Sequence, residues 1–220
     1  MQAPGDLVEI DTLDVRPVPG VVLKQFTSRD VVSRWDCVEL AHRATASTAK
    51  RLLDPILRRM PFAVRAIQVD GGSEFMAEFE EECRDRGIRL FILPPRSPKL
   101  NGHVERANRT HTEEFYHFST ANPTVAELGV ELREWETVYN TIRPHQALNY
   151  LTPKEFLDNW KEQHTRKEER VKSNVNVTQW WCFDQLIMLL GAGSPFWLIG
   201  WVRLACQLLN GHSRRSICPP

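Results

Sequence analysis

The 220 residues, 42% hydrophobic and 25% charged, have the composition of an ordinary globular protein with room for one domain and a small appendage. The 28 basic and 28 acidic side chains give a formal net charge of zero, which excludes a global basic field for nucleic acid, so any such surface must be local. The five cysteines form no C-x-x-C pair and predict neither a disulfide framework nor a zinc site, and the N-terminal residues lack the regions of a signal peptide, so we expect a cytoplasmic protein.

The N-terminal part of the chain is predicted to form three antiparallel strands. Apolar and polar residues alternate with a period of two over 7–15, and 21–28 and 32–40 also have the character of strands. The sequence RPVPG at 16–20 supplies turn residues between the first two strands. The three segments together predict a meander, with Asp11 in the middle of its first strand.

The centre of the chain alternates between strand and helix patterns. A strand over 64–69 ends at Asp70, and Gly71 and Gly72 follow it. Ligands of open α/β sheets bind at the ends of strands, and glycines let a large ligand come close. Taken alone, however, Asp70 is explained better as the cap of the helix that follows it. The other predicted segments are a strand over 88–93, a loop over 94–102 and helices over 46–60, 73–87, 103–119, 124–140 and 151–160.

The order of these segments predicts one core followed by a different C-terminal region. Strands that come first and then alternate with helices form a mixed sheet covered by helices. The chain changes character after the charged run at 161–173 and becomes rich in Trp. We therefore expect a core over 1–165 and, over 166–220, a charged linker and an apolar tail. The uncharged stretch 185–202 is a weak candidate for a membrane span because glycines and Pro195 interrupt it.

Three acids are candidates for a site: Asp11 in the middle of the first predicted strand, Asp70 at the end of the fourth and Glu105 in the first turns of a helix. Each alone is more often structural, since a Glu in the first turn of a helix complements the helix dipole. Together, the strings DGGSEF and PPRSPKLNGHVER, with an F-x-x-x-C helix between them, resemble the catalytic core of DDE transposases and retroviral integrases, especially insertion-sequence transposases. The resemblance covers roughly 7–160. Two departures, Gly71 where many members carry Asn and a shorter spacing between the last two acids, look like subfamily variation.

The resemblance implies a fold and a chemistry. The implied fold is α/β, a ribonuclease-H-like mixed five-stranded sheet flanked by helices, with a C-terminal tail that has no counterpart in the family. The implied activity is that of a metal-dependent polynucleotidyl transferase that cuts and joins DNA strands. Asp11, Asp70 and Glu105 would hold two Mg²⁺ (or Mn²⁺) ions, with Asp11 bridging them. Magnesium prefers hard oxygen ligands and keeps several waters, so a few carboxylates suffice.

Basic residues near Glu105 predict a local surface for DNA. A helix that starts near residue 102 would place Arg109 on the same face as Glu105, and its first N–H groups would favour phosphate. The simpler alternative is that Arg109 only pairs with Glu105 as an i,i+4 salt bridge. The predicted DNA-binding residues are Arg96, Lys99, Asn101, Arg106 and Arg109.

Three functional hypotheses follow. The preferred one is the catalytic domain of an insertion-sequence transposase that binds element ends and target DNA, acting as a homo-oligomer. Only ten residues precede Asp11, so we expect the N-terminal DNA-end recognition domain to be lacking. The second hypothesis is a catalytically silent transposase remnant that only binds nucleic acid. The third is a membrane-anchored protein, which the interrupted apolar stretch does not favour; the tail is more simply explained as translation beyond an ancestral stop.

Overall fold

The computed structural model describes residues 3–94, 101–120, 122–167 and 169–170. The predicted N-terminal meander is confirmed: β1 (Val8–Val15), β2 (Leu23–Asp30) and β3 (Asp36–Ala41) pair antiparallel. The turn after β2 is closed by the carboxylate of Asp30, which accepts hydrogen bonds from the N–H and the hydroxyl of Ser33 at 2.6 and 2.7 Å. This closed turn explains why β3 starts later than the sequence pattern suggests.

Two further strands complete a mixed five-stranded sheet, as predicted. β4 (Ala66–Val69) and β5 (Arg89–Ile92) run parallel to β1, and the strand order is β3-β2-β1-β4-β5. Within the described residues, the chain also forms five α-helices. They are α1 (Ala46–Arg59), α2 (Glu78–Asp85), α3 (Gly102–His111), α4 (Val125–Thr141) and α5 (153–167).

The alternation along the strands divides the apolar core between the two faces of the sheet. In β1, Val8 and Ile10 belong to one cluster, which α1 and α2 cover, whereas Leu13 and Val15 belong to a second cluster. The second cluster contains Leu128 and other residues of α4, together with residues from β2 and β3. Because side chains alternate along a strand, odd-numbered residues of β1 lie on the face of the second cluster. Asp11 is one of them.

Two predicted helices are shorter than the sequence suggests. The segment predicted as one helix over 73–87 begins as a single 3-10 turn (Ser73–Phe75), and Ala77 has a φ of 48° before α2 starts. Phe75 and Phe79 nevertheless keep their helical spacing and pack edge to face, with ring centroids 5.4 Å apart. The segment predicted as one helix over 103–119 is α3 followed by a π-helical turn (Thr112–Tyr116).

The C-terminal region is described only in part. Contacts between Cα atoms separate Met1–Glu162 from Gln163–Pro220. The predicted boundary at 165 stays a prediction, and the apolar tail beyond residue 170, including 185–202, lies outside the described residues. Within the described ranges, the model has no helix with the length and apolar character that crossing a bilayer requires.

Candidate active site

The register of the sheet brings Asp11 and Asp70 to neighbouring strands at the same level. β1 and β4 run parallel, and Ile10 of β1 pairs with Val69 of β4. Asp11 is the next residue of β1 and Asp70 is the first residue after β4, at the point where the pairing stops. The neighbouring ladder pairs Asp11 with Thr27 of β2. The sheet therefore places two of the three predicted acids side by side at the edge where β4 ends.

The turn after β4 is closed by a hydrogen bond to the side chain of Asp70. Oδ1 of Asp70 accepts a hydrogen bond from the N–H of Gly72 at 3.1 Å, so this carboxylate caps the turn rather than a helix. A Cβ on Gly72 would lie 3.0 Å from that Oδ1 and 2.8 Å from Oε2 of Glu74, whereas one on Gly71 would meet nothing nearer than 4.0 Å. Glu74 also accepts a hydrogen bond from the hydroxyl of Thr12 at 2.8 Å. The second glycine is thus the one that the packing of these carboxylates requires.

Glu9 fixes the start of the helix that carries Glu105. Its Oε2 accepts hydrogen bonds from the backbone N–H groups of His103 and Val104, at 3.1 and 2.9 Å. Glu9 is buried, and burial raises its carboxyl pKa against the lowering effect of these two bonds. Glu9 and Asp11 lie two residues apart and therefore on the same face of β1. The predicted phosphate site at the N-terminus of α3 is accordingly wrong for these two N–H groups, because a carboxylate of the same chain already uses them.

Asn108 connects α3 to Asp11. Its Nδ2 donates a hydrogen bond to Oδ2 of Asp11 at 2.9 Å, and its Oδ1 accepts one from the hydroxyl of Thr27 at 2.5 Å. Asn108 stands three residues after Glu105, which places both on one side of the helix. Sequence reasoning missed Asn108, although the i+3 spacing from a predicted site acid was a signal that could have found it.

The three predicted acids act on one another electrostatically. The pKa of Asp11 is raised to about 6, first by burial and then by the negative charges of Asp70 and Glu105, while its bonds to Asn108 and to the backbone N–H of Thr12 oppose the rise. Asp70 and Glu105 are themselves exposed. Thus, one partly buried carboxylate stands within the field of two solvent-accessible ones.

The donor set fits a hard divalent cation, although the side chains are not gathered around one point. Among the described residues, no three His, Cys, Asp or Glu side chains converge closely enough to hold a metal ion. Carboxylate oxygens are nevertheless the ligands that Mg²⁺ prefers, and two of the three carboxylates are free to rotate in solvent. Mutual repulsion that raises the pKa of Asp11 is relieved when a cation binds between the acids.

A buried network of hydrogen-bonded polar side chains lies next to Asn108 and supports the position of α3. Gln25 donates to the hydroxyl of Thr27 at 2.6 Å and approaches Nδ1 of His111 at 2.9 Å. Nε2 of His111 lies 3.3 Å from Asp36, which Arg29 clamps through two bonds of 2.6 and 2.7 Å. All these side chains are buried, so their hydrogen bonds fix how α3 sits on β2. We call this set the polar support; it comprises Gln25, Thr27, Arg29, Asp36, Asn108 and His111.

The predicted DNA-binding residues lie in different settings. Arg106 is exposed, and Arg109 is exposed but pairs with Glu113 at 2.8 Å instead of Glu105. Asn101 is only 5% exposed, and its Oδ1 has no hydrogen-bond partner among the described residues. A side chain buried to this extent does not present itself to DNA, so the prediction for Asn101 does not agree with the structure. Arg96 and Lys99 lie outside the described residues.

Comparison with known proteins places this geometry in context. Residues 86–153 match the family described as "Integrase core domain". The chain is 32% identical over 159 residues to the insertion element IS407 uncharacterized 31.7 kDa protein of Burkholderia multivorans, a match that covers 70% of this chain and 56% of that protein. The chain therefore spans about half the length of this relative.

Solved structures show the same fold. The catalytic core domain of BIV integrase has a TM-score of 0.57 and 19% identity, covering 73% of this chain and 99% of that one. The HTLV-2 integrase catalytic core domain in complex with magnesium, in its trimeric form, has a TM-score of 0.57 and 14% identity, covering 70% of this chain and 97% of that one. At these identities the likeness concerns the fold.

The sheet order and the helices around it thus define a ribonuclease-H-like core of the integrase type. In this core the chain is similar to an insertion-element protein and to integrases.

Proposed function

We propose that the chain is a metal-dependent polynucleotidyl transferase that cleaves DNA strands and transfers them, as the catalytic part of an insertion-sequence transposase. The observation that carries the proposal is the setting of Asp11. Its carboxylate lies beside Asp70 through the sheet register and is held by Asn108, and its pKa is raised first by burial and then by the charges of Asp70 and Glu105. A partly buried carboxylate with a perturbed pKa is typical of a functional site.

The proposed catalytic acids are Asp11, Asp70 and Glu105; they would hold the metal ions, and Asp11 would be the ligand that both ions share. When bound, two Mg²⁺ or Mn²⁺ ions would supply Lewis acidity at the attacking and leaving oxygens of a phosphodiester. The side chains of the protein itself would orient the acids. Asn108 holds one oxygen of Asp11, and Glu9 holds the first turn of the helix that carries Glu105.

The proposed substrate is DNA, both the element ends and the target. Arg96, Lys99, Arg106 and Arg109 would contact phosphates beside the acids, so the basic charge is local in a chain of zero net charge. We further propose that the active form contains more than one copy of the chain. The similar proteins support this class of substrate: one is an insertion-element protein and the others are integrase cores.

A strand-transfer assay on matched element ends tests the proposal. The wild-type chain should form products with Mg²⁺ or Mn²⁺ and none in EDTA, and Asp70→Asn should abolish them while leaving thermal unfolding largely unchanged. Glu81→Gln on α2 is the matched control, since Glu81 is an exposed acid away from the three proposed ligands. Wild-type activity in Asp70→Asn would refute the assignment. Binding of DNA by the wild-type chain with no metal-dependent product would instead support the silent-remnant hypothesis.

A further inference from the structure

A basic cavity of about 520 Å³ adjoins the acids on another side of α3. Its volume falls within the range of roughly 300–1,000 Å³ that ligand sites occupy. His103, Arg106 and Thr110 of α3 line it, and they follow the i, i+3, i+7 spacing of one helix face. Glu105 and Asn108 lie on a different side of the helix. Two consecutive residues of α3 therefore face different sites: Glu105 faces the candidate active site, and Arg106 faces the cavity.

Four arginines line the cavity, and two of them have no ion pair in the described part of the chain. Two of its arginines are paired, Arg29 with the buried Asp36 and Arg143 with Glu114 through bonds of 2.7 and 2.5 Å. Arg34 and Arg106 have no ion pair within the described ranges, and no acidic residue lines the cavity. A space of this size walled by two guanidinium groups without an ion pair suits an anion, because Arg presents several donors in a fixed fork to phosphate oxygens.

The backbone holds Arg34 in an uncommon conformation. Its φ is 61°, a left-handed value that costs free energy for a residue with a side chain. Asp30 maintains it: the backbone oxygen of Asp30 accepts from the N–H of Arg34 at 3.0 Å, and its carboxylate binds the N–H groups of Gly5 and Ser33. The guanidinium of Arg34 contacts the ring of His103, and burial followed by the charges of Arg34 and Arg29 lowers the pKa of His103.

A second strained residue stands at the same cavity. Tyr150 has a φ of 64° and follows Asn149, whose φ is 55°. The N–H of Tyr150 donates to the backbone oxygen of His145 at 2.9 Å, which fixes the turn. The side chain of Tyr150 is 70% exposed, so an aromatic ring stands in solvent beside the two arginines. Two of the four described non-glycine residues with positive φ thus line one cavity, and such strain concentrates at functional sites.

We propose that this cavity binds a backbone phosphate of a nucleic-acid strand, with Arg34 and Arg106 contacting the phosphate oxygens and the ring of Tyr150 stacking on a base. Phosphate contacts and base–aromatic stacking are the two means by which proteins hold a strand without reading its sequence. The inference rests on the proposed function, because it takes DNA as the substrate. Arg106 follows Glu105 directly, so a strand seated here would pass beside the acids and be positioned by a contact outside the reacting phosphate.

Salt-dependent binding of a fluorescent oligonucleotide to the full chain in EDTA tests the cavity without chemistry. Arg34→Gln and Arg106→Gln should each weaken binding equally for unrelated sequences and should lower the slope of log affinity against log salt by about 0.7–0.9, the share of one phosphate contact. Arg34→Lys keeps the charge and should retain most of the slope. Arg51→Gln is the matched control, since Arg51 is exposed on α1 and has no ion pair in the described part of the chain.

Three further readouts separate the possible outcomes. The ring signals of His103 in NMR spectra should shift on titration with the oligonucleotide and much less with inorganic phosphate at equal concentration. Saturation by inorganic phosphate alone, with no gain from the strand, would overturn the proposal in favour of a free-phosphate site. Unchanged salt slopes in both glutamine variants, in a protein whose wild type performs metal-dependent strand transfer, would overturn the cavity and leave the proposed function standing. A shifted His103 signal with lowered slopes, in a protein without strand transfer, would retain the cavity and refute the catalytic proposal.

Discussion

Asn108 donates a hydrogen bond to Asp11 from the helix that also carries Glu105, with 2.9 Å between Nδ2 and Oδ2. The amide cannot rotate freely, because its other end accepts from Thr27. One oxygen of Asp11 is therefore held by the protein.

Replacing Asn108 should reduce strand transfer without unfolding the protein. Asn108→Ala removes the donor that orients Asp11, and groups that orient metal-binding residues typically contribute about 10–100-fold to activity or metal affinity. Asn108→Asp should be more damaging because it adds a negative charge beside a carboxylate whose pKa is already raised. Strand transfer should be measured over a Mg²⁺ titration. Asn122→Ala, at an exposed site, is the control. Equal activity of wild type and Asn108→Ala at every Mg²⁺ concentration would contradict this role.

The metal-free protein should become less stable as pH rises through the titration of Asp11. The native pKa of about 6 lies above the ordinary value of 3.8, so between these values the native state binds more protons than the unfolded state. Stability then falls with rising pH, by on the order of 3 kcal/mol for this group, and Asp11→Asn should lose this contribution. Urea unfolding in EDTA from pH 4 to 8 measures the difference between the two proteins. A difference in unfolding free energy between the two proteins that does not vary with pH would contradict the prediction. A wild-type protein that gains stability relative to Asp11→Asn as the pH rises would contradict it as well.

The buried pair of Arg29 and Asp36 should be essential for folding. Arg29 and then His111 lower the pKa of Asp36 despite its complete burial. Removal of one partner leaves a buried charge without compensation, so Asp36→Asn should cost about 3–5 kcal/mol in the free energy of unfolding. Asp158→Asn breaks an exposed pair with Lys154 and should cost under about 1 kcal/mol. Similar midpoints of chemical unfolding for the two variants would show that the polar support does not depend on this pair.

The two glycines after Asp70 should respond differently to alanine. Gly72→Ala forces a Cβ against the carboxylates of Asp70 and Glu74 and should reduce strand transfer, with a stability cost of about 1 kcal/mol. Gly71→Ala has room and should be close to wild type in both measurements. Because the carboxylate of Glu74 ends a flexible side chain, Gly72→Ala combined with Glu74→Ala should regain part of the activity. Equal effects of the two glycine substitutions would refute the steric explanation.

The strands of the sheet could be predicted from the sequence because the pattern that identifies each strand lies within the strand itself. Alternation in β1 and the string around Asp70 identify their strands without knowledge of any partner. The break before α2 could not be predicted, since Phe75 and Phe79 keep helical spacing across the left-handed Ala77. The spacing of apolar residues records which side chains are buried and does not record a change in backbone direction.

The candidate acids could also be named from the sequence, whereas the groups that hold them could not. Glu9 looks like any polar residue of an alternating strand until α3 is placed above it. Thr27 and Asn108 are 81 residues apart, and their bond exists only after β2 and α3 meet. The position of Arg34 in the cavity likewise depends on its backbone conformation and on residues from other elements, so it could not be predicted from the sequence. These contacts depend on the tertiary arrangement.

The placement of Glu9 and Asp11 on one face of β1 has an evolutionary consequence. A slip of a single residue in the pairing of this strand would turn both side chains to the opposite face together, while Val8 and Ile10 would leave their core. The same slip would therefore remove Glu9 from the start of α3 and Asp11 from Asp70 and Glu105. A change that shifts the pairing of β1 by one residue should therefore be selected against more strongly than a substitution in the turn at 16–22, because no partly functional register lies between the native pairing and its loss.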